Sequence, residues 1–126
     1  LAFLDRLVQV IADFDERGFG QWEGLTADEI QAAFPEIWQA WLEAPFEVTP
    51  PEAEVFSDFQ TRVWTATDRL LDSTDESIAL VSHLGVLRLI YQHLVDGEAV
   101  FWNIDVPQGR VLLLEERDQN WQATLL

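Results

Sequence analysis

Ile78-Ala79-Leu80-Val81 is a continuous apolar run that passes through Ser82-His83-Leu84-Gly85 into a second pattern, with Val86, Leu87, Ile90, Leu94 and Val95 at helical spacing. A run without polar alternation reads as a strand buried on both faces. Apolar residues three and four apart read as a helix with one inner side, and Asp96-Gly97 closes it. A doubly buried strand feeding a helix belongs to a sheet covered by helices, so this junction predicts an α/β fold. Ligands of open α/β sheets gather at the carboxyl ends of strands, which puts Ser82 to Gly85 where chemistry is expected.

The rest of the chain fits that frame. Leu7 to Ile11 is a short apolar run, read as a strand. Asp13 to Gly24 mixes charge, aromatics and three glycines and reads as a loop with special backbone needs. Thr26-Ala27-Asp28-Glu29 is a capping box, so a helix starts there, with Ile30 and Phe34 inward and Pro35 as its end. Pro35 also suits the first position of a second helix carrying Trp38, Trp41 and Leu42 on one side. Ala44 to Ala53 holds three prolines and reads as a loop. Phe56, Phe59, Val63, Ala66 and Leu70 define a long helix, and Asp72 to Ser77 a polar connection. Arg110 to Glu116 and Trp121 to Leu126 read as two closing strands around a polar turn. With no repeat or linker, residues 1–126 form one domain. Only two or three strands precede Arg110, fewer than a central parallel sheet normally uses, so the front of the sheet is expected to be missing.

Charge narrows the partners. The chain carries a net −16 and no lysine, all seven basic residues being arginine. Such a field repels nucleic acid and anionic membrane, and no basic cluster offsets it, so neither is expected as a partner. The acid excess fits adaptation to high salt and an ordinary acidic cytosolic protein equally well. The absence of cysteine excludes disulfides, thiolate metal sites and cysteine nucleophiles. No apolar run approaches the ~20 residues of a membrane span. The start at Leu1 has no basic region ahead of it, so no signal peptide is expected and the expected compartment is the cytoplasm.

His83 is the first candidate for chemistry. Beside the free N–H groups of a helix start, an imidazole can donate to a phosphoryl oxygen or carry a proton near neutral pH; in its ordinary role it would only satisfy a loop carbonyl. Asp15 to Gly24 sets carboxyl groups among aromatics and glycines, where desolvation would suit one to proton donation; a solvated acidic loop is the plainer reading. Glu54 precedes the long helix, where a negative charge is favourable in any case. Arg88 could bind an anion or pair with a carboxylate. His93 lies mid-helix with no polar company in the sequence and reads as a surface or packing residue. Trp38, Trp41 and Trp64 read as core, whereas Trp22 and Trp102 lie in loops and are candidates for lining a pocket.

Glu16-Arg17-Gly18-Phe19-Gly20-Gln21-Trp22-Glu23-Gly24-Leu25-Thr26 resembles the E-x-x-[FYL]-G-x-W-E-G-x-T stretch of histidine phosphatases, the phosphoglycerate-mutase-like superfamily. Pro50 to Phe56, with Asp58, Phe59 and Arg62-Val63, resembles their P-x-G-G-E-S segment, and Ser82 to Arg88 resembles S-H-G-G-V-[IL]-R. Trp22 to Thr26 and Phe101-Trp102-Asn103 are similar to the alpha-ribazole phosphatase branch, of cobalamin nucleotide-loop assembly. The resemblance implies a three-layer α/β/α phosphoglycerate mutase-like fold, here lacking its N-terminal strand and helix, so that 1–126 is the C-terminal portion of the domain. It implies hydrolysis of a small phosphate monoester, alpha-ribazole phosphate being one candidate, through a phosphohistidine intermediate, with no metal and no cofactor. His83 would hold the phosphoryl group, and Glu16 would protonate the leaving oxygen and then activate water. Arg17, Glu54, Trp22 and the backbone of Leu84 would contribute to substrate binding, Glu54 by orienting basic groups.

The sequence departs from the family pattern. No Arg-His-Gly occurs, so the phosphate-accepting histidine is absent, and Ala53, Val55 and Leu84 stand where the family has glycine or serine. The chain as given is therefore expected to show negligible phosphatase activity. A non-catalytic relative that binds a phosphorylated ligand or a protein is the alternative. A mutase is disfavoured, because so few basic residues are available for a second phosphate. Strand edges left without their neighbours would invite homodimers or aggregation.

Overall fold

The computed structural model describes residues 8–126. Four helices and one two-stranded sheet make up its regular structure: α1 (Ala27–Ala33), α2 (Pro35–Glu43), α3 (Phe56–Ser73), α4 (Leu84–Leu94), β1 (Leu112–Arg117) and β2 (Asn120–Leu125). The α/β class expected from the sequence holds.

The helix boundaries are set locally. The Thr26 hydroxyl accepts the N–H of Glu29 at 3.2 Å and donates to its carboxylate at 3.1 Å, which satisfies a free donor of the first turn of α1. Phe34, at φ −133° and ψ 58°, breaks the helical path, and Pro35 starts α2 where its missing N–H costs nothing. Helix α2 turns Trp38 and Trp41 inward, but Leu42 is 52% exposed, contrary to the expected shared face.

The core is the α3–α4 interface. Phe59, Val63 and Ala66 of α3 meet Val86, Leu89 and Ile90 of α4, with Phe14 and Phe101 closing the ends. Phe59, Val63, Val86 and Leu89 are almost wholly buried, each stabilising the fold by about 1.5–3 kcal/mol. The Trp64 indole donates to the carbonyl of Leu89 at 2.8 Å and stacks on the His93 ring. His93 also meets the Asp68 carboxylate at 2.7 Å, so the expectation that it lacks polar company is corrected. That partner lies 25 residues away on α3, beyond the reach of local pattern.

Strands β1 and β2 pair antiparallel, Leu112 facing Leu125 and Arg117 facing Asn120. Asp118 and Gln119 between them take φ of 53° and 66°, the left-handed pair of a two-residue hairpin turn. The two expected earlier strands do not form among the described residues. Leu7 lies outside them; residues 8–11 and 78–81 are without strand pairing. Val10 is 90% exposed and Val81 96%, where the apolar run had predicted full burial. A strand exists only through its ladder, and no described segment hydrogen-bonds beside either run. No helix among the described residues is long and apolar enough to cross a membrane.

Candidate active site

Two loops are zipped together beside the N-terminus of α4. Short 3-10 turns at Ala12–Phe14 and Gly20–Trp22 fold the acidic loop on itself. Its backbone then meets the proline-rich loop, the N–H of Gln21 reaching Pro51 O at 2.9 Å and the N–H of Glu54 reaching Gly18 O at 2.9 Å. Gly20 sits at φ 56°, and a Cβ there would run into the backbone of Pro51 and Glu52. Only glycine permits this approach.

Arg62 of α3 fastens both loops. Its guanidinium donates to the carbonyls of Asp13 (2.7 Å), Asp15 (2.8 Å) and Glu16 (3.1 Å). It also grips the Glu54 carboxylate with two bonds, at 2.8 and 2.9 Å. The bond from Arg62 holds the Glu54 carboxyl below the usual glutamate range, and Glu54 in turn raises the guanidinium above its own. The second oxygen of Glu54 also accepts the N–H of Gly18 at 3.3 Å. Sequence pattern gave Arg62 only a place in a motif, because its partners lie up to 49 residues away.

The Glu16 and Arg17 side chains emerge from this clamp. The Glu16 carboxylate accepts the N–H of Gly85 at 3.1 Å, on the first turn of α4, where free amides and the helix dipole favour negative charge. Arg17 is 7% exposed. Burial lowers its pKa, and Glu54 partly offsets this. Its Nε donates to Glu54 O at 3.0 Å, whereas Nη2 is buried without a hydrogen-bond partner among the described residues.

A hollow of about 200 Å³ opens here. Glu16, Arg17, Leu84 and Gly85 line one part of it, and Phe46, Phe56, Phe101, Trp102 and Trp41 supply aromatic walls. Arg88 also lines it; its Nε donates to Ile104 O at 2.7 Å and its guanidinium lies over Phe101 and Trp102. Arg88 thus pairs with no carboxylate among the described residues, and its terminal nitrogens make no hydrogen bond among them.

The residues singled out in the sequence divide as follows. Glu16, Arg17, Leu84 and Trp102 line the hollow. His83 caps α4 in extended backbone with an exposed side chain, two residues from the amide that Glu16 accepts; it shares that helix end with Glu16 but is not among the hollow's walls. Glu54 stands behind the hollow, acting on Arg62 and Arg17. Trp22 is a correction: it is 5% exposed and packs against Trp38 and Trp41 at 5.7 Å, in the core rather than on the pocket. Trp41, read as core, reaches the pocket instead. The loop position of Trp22 suggested exposure, but the 3-10 turn swings its indole onto α2.

Residues 2–126 match the family description "Histidine phosphatase superfamily (branch 1)". The chain is 32% identical over 104 residues to the adenosylcobalamin/alpha-ribazole phosphatase of Escherichia coli K12, covering 81% of this chain and 51% of that protein. It is 30% identical over 112 residues to the bifunctional protein Rv2228c of Mycobacterium tuberculosis H37Rv, covering 86% of this chain and 30% of that one. The solved alpha-ribazole phosphatase of Shigella flexneri superposes with a TM-score of 0.84 at 26% identity, over 97% of this chain and 62% of that structure. The chain therefore spans between 30% and 62% of the length of these relatives, and it has the phosphoglycerate mutase-like fold expected from its motifs. The family match over nearly the whole sequence, the shared fold and the Glu16–Gly85 junction agree with the motif reading: the chain belongs to the histidine phosphatase superfamily, branch 1.

Proposed function

We propose that this chain carries the acid–base and leaving-group half of a phosphomonoester hydrolase site. The observation that carries the proposal is the Glu16 carboxyl, held on the N–H of Gly85 at the helix end that His83 caps, at the wall of the hollow. In the reaction a nucleophilic histidine, outside these 126 residues, attacks phosphorus. The P–O ester bond breaks, and the protonated Glu16 carboxyl gives its proton to the leaving oxygen. Water then attacks the phosphohistidine, Glu16 takes the water's proton, and inorganic phosphate and the free histidine result. His83 and the amides at the start of α4 stabilise the charge on the phosphoryl oxygens. Two of the relatives are alpha-ribazole phosphatases, which makes alpha-ribazole phosphate the first substrate to try. The second reading is a non-catalytic binder of phosphorylated ligands, in which the same loops hold the phosphate without turnover.

The test is turnover of p-nitrophenyl phosphate. The chain alone is expected to show none above background. Joined to the part of the Shigella flexneri alpha-ribazole phosphatase that it does not cover, it is expected to turn over, and Glu16→Gln or His83→Ala should each lower kcat by about 10²–10⁴-fold. A folded chimera without turnover would favour the binding module. Robust turnover by the chain alone that survives His83→Ala would refute the mechanism and the site.

A further inference from the structure

We propose that Ser82 is a positioning residue for Glu16, an anchor that keeps the acid's loop at the start of α4 while the Glu16 carboxyl leaves its resting contact; this rests on the phosphatase reading. The first observation is the anchor itself. The half-buried Ser82 hydroxyl donates to the carbonyl of Phe14 at 2.6 Å, across 68 residues of chain. Phe14 belongs to the core, so the point of attachment is fixed. Arg62 takes the carbonyls on either side, those of Asp13, Asp15 and Glu16. Four consecutive carbonyls are thus held by two side chains, and Ser82 supplies the one hold that comes from the segment leading into α4.

The second observation is that the loop and this segment are joined twice, with His83 between the joints. Ser82 Oγ meets Phe14 O, and the N–H of Gly85 meets Oε2 of Glu16. No other hydrogen bond among the described residues joins residues 12–17 to residues 82–85.

The two joints differ in chemistry. The Gly85 bond ends on a carboxylate, a stronger acceptor than the protonated carboxyl. Oε1 of Glu16 accepts the N–H of Arg17 at 3.1 Å, so both oxygens are engaged as acceptors. To serve as an acid, Glu16 must carry a proton and turn to the leaving oxygen, and the Gly85 joint then opens. The Ser82 joint runs from a hydroxyl to a carbonyl, neither of which changes charge, so it stays closed throughout. With it, Glu16 departs and returns within the reach of its own side chain. Without it, nothing but the departing carboxylate ties the loop to α4, and the acid drifts from His83. Small misplacements of a reacting group are costly in rate.

Amide hydrogen exchange on the 126-residue chain reads the anchor directly. The Gly85 N–H lies in the first turn of α4, without a helical acceptor, so its protection reports the Glu16 contact. Ser82→Ala should lower that protection about ten-fold and leave the amides of Leu89 and Ile90, in the α3–α4 core, unchanged. Ser82→Thr keeps the hydroxyl and should restore it. In the chimera, Ser82→Ala should lower kcat about ten-fold or more with KM nearly constant. The same change should add little in a Glu16→Gln background, because Ser82 acts through Glu16. Unchanged Gly85 protection in Ser82→Ala, a loss that spreads to Leu89 and Ile90, or a kcat equal to the parent's would overturn the proposal. A chimera without turnover, in a chain whose Gly85 protection follows the expected pattern, would instead refute the phosphatase reading and leave the Ser82 anchor of the loop standing.

Discussion

Oε2 of Glu16 lies 3.1 Å from the backbone N–H of Gly85, so the candidate acid and the start of α4 are joined across 69 residues of chain. Glycine at position 85 makes that contact possible, because a Cβ there would press into the Glu16 carboxylate. Gly85→Ala should expel the carboxylate. A lost bond to a charged acceptor costs about 1.5–3 kcal/mol, and alanine in a helix regains about 1 kcal/mol. The expected net is a loss of about 0.5–2 kcal/mol by urea unfolding. In a Glu16→Ala background the same change should become stabilising, since only the helix preference remains.

The pair of Arg62 and Glu54 predicts a pH dependence. Arg62 depresses the Glu54 carboxyl chiefly by donating a hydrogen bond to it. A carboxyl depressed on folding contributes stability above its unfolded pKa and loses it as pH falls through the folded value. The contribution should be complete at pH 7 and decline below about pH 4.3. Glu54→Gln should therefore be less stable than the parent at pH 7 and converge with it as pH falls through the depressed folded value, as read from urea midpoints. Arg62→Lys keeps the charge but has three donors for five bonds, and should cost about 1–3 kcal/mol at pH 7.

Backbone conformation supplies a third prediction, with opposite signs at neighbouring sites. Glu52 is held at φ 60°, where an L side chain crowds its own carbonyl. Glu52→Gly should be neutral or stabilising by up to about 1 kcal/mol. Gly20→Ala should destabilise by well over about 1 kcal/mol, since strain at φ 56° adds to a clash with the Pro51–Glu52 backbone. Thermal unfolding of the two variants separates these effects.

What could be read from the sequence was what is decided within a few residues. The Thr26–Glu29 cap, the Phe34–Pro35 break, the inner face of α3 and the closing hairpin each depend on neighbours in the chain, and each lies where pattern placed it. The motifs likewise brought Glu16 to the α4 terminus. Long-range decisions were not legible. Arg62 finds its carbonyl partners 46 to 49 residues away, Trp22 turns into the core through a 3-10 turn, and the aromatic hollow joins side chains from Phe19 to Trp102. Apolarity at 78–81 predicted a buried strand, but burial depends on what packs alongside, and Val81 is 96% exposed.

That exposure gives the last prediction. Val8, Val10, Ile78 and Val81 belong to extended segments without strand pairing among the described residues, and all four are exposed. Unpaired extended backbone with apolar side chains is a template for a second chain. The 126-residue chain is therefore expected to self-associate at micromolar concentration, seen by sedimentation velocity as a concentration-dependent mass. Net charge opposes this, so association should strengthen as salt screens the acidic surface. Val10→Lys with Val81→Lys should shift the population toward monomer while leaving the thermal midpoint nearly unchanged, because neither side chain contributes to the α3–α4 core. A chain that stays monomeric in high salt would mean that these segments are blunted by their own twist or side chains and are not open edges.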